Sequence, residues 1–171
     1  TGCDKPPRGA RATPTSEGEP AVSPADDSSA PNPKELGWVR WHRDFDQAAA
    51  IAKKSGKPLL LLFQEVPGCS TCVGFGASVL SHPLVIEAIE TAFVPVAIHN
   101  NKAGSDANVL KRFGEPSWNN PVVRFVRPDG RDLIGRADGV WSTSGIATRM
   151  IAALRAAERP VPRYLEWVVD A

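Results

Sequence analysis

The sequence predicts an α/β fold, a mixed central sheet flanked by helices, and three observations carry that prediction. The run Pro-Leu-Leu-Leu-Leu-Phe at 58–63 is continuously apolar. It is too short for a helix and suits a strand covered on both faces. A second buried strand is expected at 93–98, Phe-Val-Pro-Val-Ala-Ile, after helix-compatible sequence, so the two strands should run parallel through a helical crossover. The third observation is Pro-Val-Val-Arg-Phe-Val at 121–126, then the turn Arg-Pro-Asp-Gly and Arg-Asp-Leu-Ile-Gly-Arg-Ala, which together read as an antiparallel hairpin.

The other elements follow in chain order. Trp-Val-Arg-Trp at 38–41 alternates as a short strand does. Residues 44–57 read as a helix, with Asp44 as N-cap, an alanine-rich interior, Lys53 and Lys54 in the last turn and Gly56 as the stop. Residues 73–80 suit a helix weakened by Gly74 and Gly76, a Gly-Phe-Gly that lacks the third glycine of a nucleotide loop and reads as close helix packing. A further helix is expected at 81–92, with Ser81 near its cap and Pro83 in its first turn. A short one follows at 105–114, and a closing one at 142–157 with Ile146, Met150, Ile151 and Leu154 along one face. The tail 158–171 is apolar enough to dock, without an assigned element, and Trp38, Trp41, Trp118 and Trp141 are expected in core and loop packing.

Composition bounds the function. The chain has 171 residues, 42% hydrophobic content and a formal net charge of +1, which fits one domain plus an extension, expected as a monomer. No lysine-arginine run exceeds a pair, so nucleic acid is excluded as a partner on electrostatic grounds. The longest apolar run, Leu59 to Phe63, falls far short of the roughly 18 residues of a spanning helix. Residues 1–35 contain no aromatic side chain and no Ile, Met or Leu, and are rich in Pro, Ser and Ala. Such a segment buries too little apolar surface to offset the entropy of ordering it. It is read as a disordered tether reaching roughly 30 Å, and 36–171 as the folded domain.

The opening Thr-Gly-Cys resembles the end of a bacterial lipoprotein signal, where the cysteine becomes the lipidated first residue. That resemblance implies lipidation at Cys3, a membrane anchor and a location outside the cytoplasm, on the periplasmic side. It also accounts for the odd cysteine of three, leaving Cys69 and Cys72 as a pair.

Val-Pro-Gly-Cys-Ser-Thr-Cys at 66–72 places that pair directly after the first buried strand. At the start of a helix both sulfurs lie on the same side of one turn. The first sits beside unpaired backbone N–H groups and the positive end of the helix dipole, which lower a thiol pKa from about 8.5 into the range of about 3.5 to 7.5. Cys69 is then the nucleophile, and Cys72 resolves the mixed disulfide. A purely structural disulfide would close only a four-residue loop and remove little unfolded-state entropy. A soft-metal site, for copper(I) or zinc, is the rival: two thiolates with His82 or His99 as third ligand. Without a third ligand that converges, metal binding is expected to be weak. No Ser-His-Asp order or paired carboxylates at meaningful spacing are present.

From Leu36 to about Ala157 the chain resembles the thioredoxin superfamily, on Gly-Lys-Pro-Leu-Leu-Leu-Leu-Phe-Gln-Glu-Val-Pro-Gly-Cys-Ser-Thr-Cys, then Phe-Val-Pro-Val-Ala-Ile, then Asn-Asn-Pro-Val-Val-Arg-Phe-Val-Arg-Pro-Asp-Gly. Within it, the chain is most similar to thioredoxin-like proteins with a Val-Pro-Gly-selenocysteine-x-x-Thr motif, some with cysteine at the chalcogen position. Cys69 takes that position, and Cys72 replaces the threonine and restores a Cys-x-x-Cys pair. The resemblance implies a thioredoxin-like sandwich and a thiol-disulfide oxidoreductase acting on protein or small-molecule thiols and disulfides. Its redox-active Cys69–Cys72 disulfide serves without a further cofactor or metal. It implies a cis-proline at Pro121, and substrate contacts at Pro121, Asn120, Trp118, Pro67 and Gly68. Where the family carries a buried carboxylate, six residues before the first cysteine, this chain has Phe63, which leaves Glu65 or water to accept the Cys72 proton. The alternative reading is a copper- or other soft-metal-binding chaperone of the same fold.

Overall fold

The computed structural model describes residues 31–118 and 121–170. Expectations for residues 1–30, including Cys3, and for Asn119 and Asn120 lie outside the described residues. After a single 3-10 turn at Lys34–Leu36, the order is α1 (Phe45–Ser55), β1 (Leu59–Gln64), α2 (Ser70–Ser78), α3 (Pro83–Ala92), β2 (Val94–His99), α4 (Ser105–Phe113), β3 (Val122–Val126), α5 (Thr143–Ala156) and α6 (Tyr164–Asp170). The sheet order is β2-β1-β3, with β1 parallel to β2 and antiparallel to β3. This is the expected thioredoxin-like α/β sandwich. No single helix among the described residues is long and apolar enough to cross a membrane.

Strand β1 is buried at all six positions, and its period of two divides the core. Leu60 and Leu62 join Phe75 of α2, Val79 at its C-cap and the inner faces of α3, α5 and α6 on one side. Leu59, Leu61 and Phe63 meet α1 and α4 on the other, where the Phe63 and Phe45 rings both stand edge-on to Phe113. The caps of α1 form as the sequence dictates: the Asp44 carboxylate accepts the Gln47 N–H at 2.8 Å, and Gly56 ends the helix at φ +69°. Ser142 caps α5 by accepting the Gly145 N–H at 3.1 Å.

Several expectations are corrected. Residues 38–41 form no strand: Trp38 N–H bonds to the Leu80 carbonyl and Arg40 to the Glu90 carboxylate, which leaves only a bridge between His42 and Val96. The second hairpin arm is likewise reduced to one bridge, Val126 to Asp132, after which Leu133 and Ile134 pack on the core. Ser81 stands next to the N-cap of α3 as expected; the N-cap position is His82, which makes no side-chain capping bond, and the Ser81 hydroxyl donates to the Gly76 carbonyl. Of the four tryptophans expected in packing, Trp41 does pack and donates to the Leu36 carbonyl at 2.9 Å, whereas Trp38 and Trp118 are exposed at 71% and 79%. The tail acquires α6, which seats Leu165 and Val168 in the core.

The folded unit begins at Pro31, so the last residues of the expected tether belong to the domain. They are held by polar groups, which is why apolar composition does not mark them. The Lys34 and Glu35 backbone lies where a side chain on Gly76 would have to go, so that glycine does serve close packing; Gly74, with nothing within 4 Å of a would-be Cβ, does not.

Candidate active site

The site is built at the C-terminal end of β1. Gln64 is fully buried there, and its amide donates to the Glu35 carbonyl and, at 3.4 Å, to the Cys72 carbonyl. The loop 65–68 carries the chain to α2, with a cis peptide bond between Val66 and Pro67. Asn101 holds this loop on both sides, accepting the Val66 N–H and donating to the Pro67 carbonyl, each at 3.2 Å. From below, the buried Glu35 carboxylate accepts the Gly68 N–H at 2.8 Å. Nothing in the sequence marks Glu35 or Asn101 for these roles. A glutamine ending an apolar run is the one available signal for Gln64, since a buried amide needs partners.

Cys69 is the N-cap of α2 and exposed; Cys72 is buried one turn on. Both are free thiols with the sulfurs 3.7 Å apart, far beyond the roughly 2.05 Å of a disulfide. Gly68 makes this approach possible. A Cβ there would stand 2.6 Å from Cys72 Cβ and 3.1 Å from Cys72 Sγ.

The two thiols differ sharply. The Cys72 backbone N–H holds the Cys69 thiol below its ordinary value, helped by the Cys72 thiol and by the N–H and hydroxyl of Thr71. Burial first, and then the neighbouring Cys69 sulfur, push Cys72 up to about 11. The two thiols are thus shifted in opposite directions. The backbone donors to Cys69 are the free N–H groups of the first helical turn.

Phe63 sits in the core layer facing α1 and α4, whereas α2 packs in the other layer. The carboxylate near the sulfurs is Glu65, half-buried, whose oxygen lies within 4.8 Å of both Sγ atoms. Among the described residues neither His82 nor His99 joins this cluster. His82 occupies the N-cap position of α3, and burial together with Arg43 lowers the His99 pKa. The side chain beside the two sulfurs is thus the Glu65 carboxylate, and neither histidine considered as a third ligand.

The remaining expected site residues are placed as follows. Pro67 is exposed and Gly68 half-buried in the loop before Cys69. Pro121 is buried and its carbonyl accepts the Trp141 indole N–H at 3.0 Å. Phe63 pairs with Val122 in the antiparallel register, so one step further Pro121 lies level with Gln64, at the sheet end from which the cysteine loop departs. Trp118 stands exposed three residues earlier. The bond expected to be cis at Pro121 involves Asn120 and lies outside the described residues.

A family model described as thioredoxin-like matches residues 40–128. Among solved structures, a thioredoxin from Thermus thermophilus is similar with a TM-score of 0.55 and 22% identity, over 66% of this chain and 85% of that one. An oxidoreductase named DsbH is similar with a TM-score of 0.58 and 15% identity, over 81% of this chain and 95% of that one. At such identities both likenesses concern the fold. No curated protein sequence matches this chain.

Proposed function

The chain belongs to the thioredoxin-like family, and on that premise we propose that it is a thiol-disulfide oxidoreductase in which Cys69 attacks and Cys72 resolves. The observation that carries this reading is the exposed Cys69 thiol at the α2 N-cap, 3.7 Å from a buried Cys72 thiol. In the reducing direction the Cys69 thiolate attacks one sulfur of a substrate disulfide and expels the other as a thiolate. Cys72 then gives its proton to the Glu65 carboxylate and attacks Cys69 Sγ. The Cys69–Cys72 bond forms, the mixed disulfide breaks, and the substrate leaves with both electrons as a dithiol. No cofactor beyond the two cysteines is required. Substrate backbone is received between the Pro67-Gly68 loop and the Trp118, Asn120 and Pro121 segment, a reading supported by the level of Pro121 with the end of β1.

The Val-Pro-Gly-Cys motif ties the chain to the selenocysteine-or-cysteine branch of the family, and Thr-Gly-Cys at the start supports a lipid anchor on Cys3. The residues ahead of the folded unit then act as a tether that presents a monomeric domain outside the cytoplasm. Mass spectrometry of protein recovered from membranes checks this part, and an unmodified Cys3 in a soluble fraction refutes it.

Substitution of the thiols one at a time tests the chemistry. Cys69→Ser should abolish disulfide exchange, and Cys72→Ser should retain the first attack and accumulate a mixed disulfide with substrate. A structural disulfide would instead lose stability with either substitution and trap nothing.

A further inference from the structure

Glu65, Cys69 and Cys72 each present one donor atom, and the three atoms lie within 4.8 Å of one another. Two thiolates bound to tetrahedral zinc at about 2.3 Å each are separated by about 3.8 Å. The sulfurs stand 3.7 Å apart before any ion is added. A carboxylate oxygen at about 2.0–2.2 Å from the same ion lies about 3.6 Å from each sulfur. Glu65, on a half-buried loop position, need therefore swing inward by no more than about 1.2 Å from the 4.8 Å limit. The backbone is already fixed for this, because Glu35 holds Gly68 and Asn101 holds Val66 and Pro67.

From this geometry we propose that the reduced protein binds one thiophilic divalent cation of the zinc class through Glu65, Cys69 and Cys72, with a fourth position open to solvent. The carboxylate selects the class. An oxygen donor suits borderline zinc, whereas copper(I) prefers an all-soft set. Binding transfers no electrons: the thiol protons of Cys69 and Cys72 pass to solvent, and two thiolates and a carboxylate face the dication. Metal and disulfide are then exclusive states of the same two sulfurs. When a disulfide substrate takes the two electrons of the pair, both sulfur donors are lost and the ion is released. While it is bound, the nucleophile is masked, so zinc acts as a reversible block and not as a cofactor. The site requires only the reduced dithiol and Glu65, and stands whether or not the chain catalyses disulfide exchange.

The test uses the full chain carrying Cys3→Ser, reduced and metal-free, without oxygen. Zn2+ is titrated against a chromophoric chelator, and Co2+ reports thiolate ligation by its charge-transfer absorption. One ion per chain with submicromolar affinity is expected, together with protection of Cys69 from alkylation, and both should vanish on oxidation to the disulfide. Glu65→Gln and Glu65→Ala, each checked for folding by circular dichroism, should weaken binding at least about tenfold. His82→Ala and His99→Ala should leave it unchanged. Absence of binding below 100 μM (about −5.5 kcal/mol), two chains per ion, or unaltered affinity in both Glu65 variants would overturn the proposal. These readings use no substrate. A chain that binds zinc but fails to exchange disulfides in the presence of chelator would refute the oxidoreductase reading alone.

Discussion

Gly68→Ala places the sharpest demand on the geometry of the site. The added methyl would lie 2.5 Å from the Glu65 carbonyl oxygen and 2.6 Å from Cys72 Cβ, against an optimal separation of about 3.5–4.0 Å. Both neighbours belong to fixed parts of the chain, a loop held by Asn101 and a buried helical turn, so the overlap of about 1 Å cannot be relieved by a side-chain rotation. The cost belongs at the upper end of the overpacking range, about 3 kcal/mol. Gly68 does not lie at positive φ, so the alanine also removes unfolded-state freedom, a gain of up to about 1 kcal/mol. The net loss is about 2 kcal/mol, or about 6 °C in Tm for a domain of this size. Because Cys72 Sγ is 3.1 Å from the new methyl, the sulfur pair should also separate and Cys69 should alkylate more slowly at neutral pH. Gly74→Ala makes the opposite prediction from the same chemistry. Nothing lies within 4 Å of its Cβ position and the residue is helical, so stability should rise by up to about 1 kcal/mol. Thermal melts of both variants check the pair. A Gly68→Ala protein within 1 °C of the parent (less than about 0.5 kcal/mol), with unchanged Cys69 reactivity, would refute the claim that this glycine sets the approach of the two cysteines.

Two further expectations concern charge. The Glu115 carboxylate is wholly buried and joins Arg124 at 3.1 Å to Arg136 at 2.6 Å, between α4 and β3. Glu115→Gln keeps the shape and removes the buried charge, but Arg124 retains Asp132 and Arg136 retains Asp138, so urea denaturation should show a loss of about 2 kcal/mol; a loss under about 0.5 kcal/mol would show that the network is not structural. For the reduced protein, the raised Cys72 pKa stabilises the fold below the ordinary thiol range, and that contribution is lost as pH climbs from about 8.5 to about 11. The lowered Cys69 pKa works in the other direction, adding stability above the ordinary range that is lost as pH falls through its folded value. Denaturation from pH 8 to 11 should therefore show a decline that Cys72→Ala removes, and a decline of equal size in that variant would assign it elsewhere.

What the sequence made legible was whatever hydrophobic periodicity and helix-terminal chemistry govern. The unbroken run from Leu59 to Phe63 has to be a central strand because both its faces are apolar, and the structure covers both. Asp44 and Gly56 bracket α1 because only those residue types satisfy the two ends. The segments at 38–41 and 131–137 misled for a shared reason. Alternation describes which side chains turn inward, but a strand also needs a neighbour for its backbone, and here the backbone bonds go to Leu80, to Glu90 and to a single bridge at Asp132. The support beneath the cysteines was hidden because it is polar. Glu35 lies in a stretch without apolar signal, and its function depends on a contact with Gly68 across 33 positions. Glu65 stood in the sequence only as one of two candidates, beside water, to accept the Cys72 proton, and its convergence with both sulfurs depends on the path of the 65–68 loop.

Alkylation of both thiols in one reduced sample, followed by mass spectrometry as a function of pH, tests the division of labour most directly. The Cys69 profile should have its midpoint below that of an ordinary thiol, because the Cys72 and Thr71 N–H groups stabilise its thiolate. Cys72 should remain largely unmodified until pH approaches about 11. Two superimposed profiles centred near 8.5, the value of an unperturbed cysteine, would contradict the assignment of attack to Cys69 and resolution to Cys72.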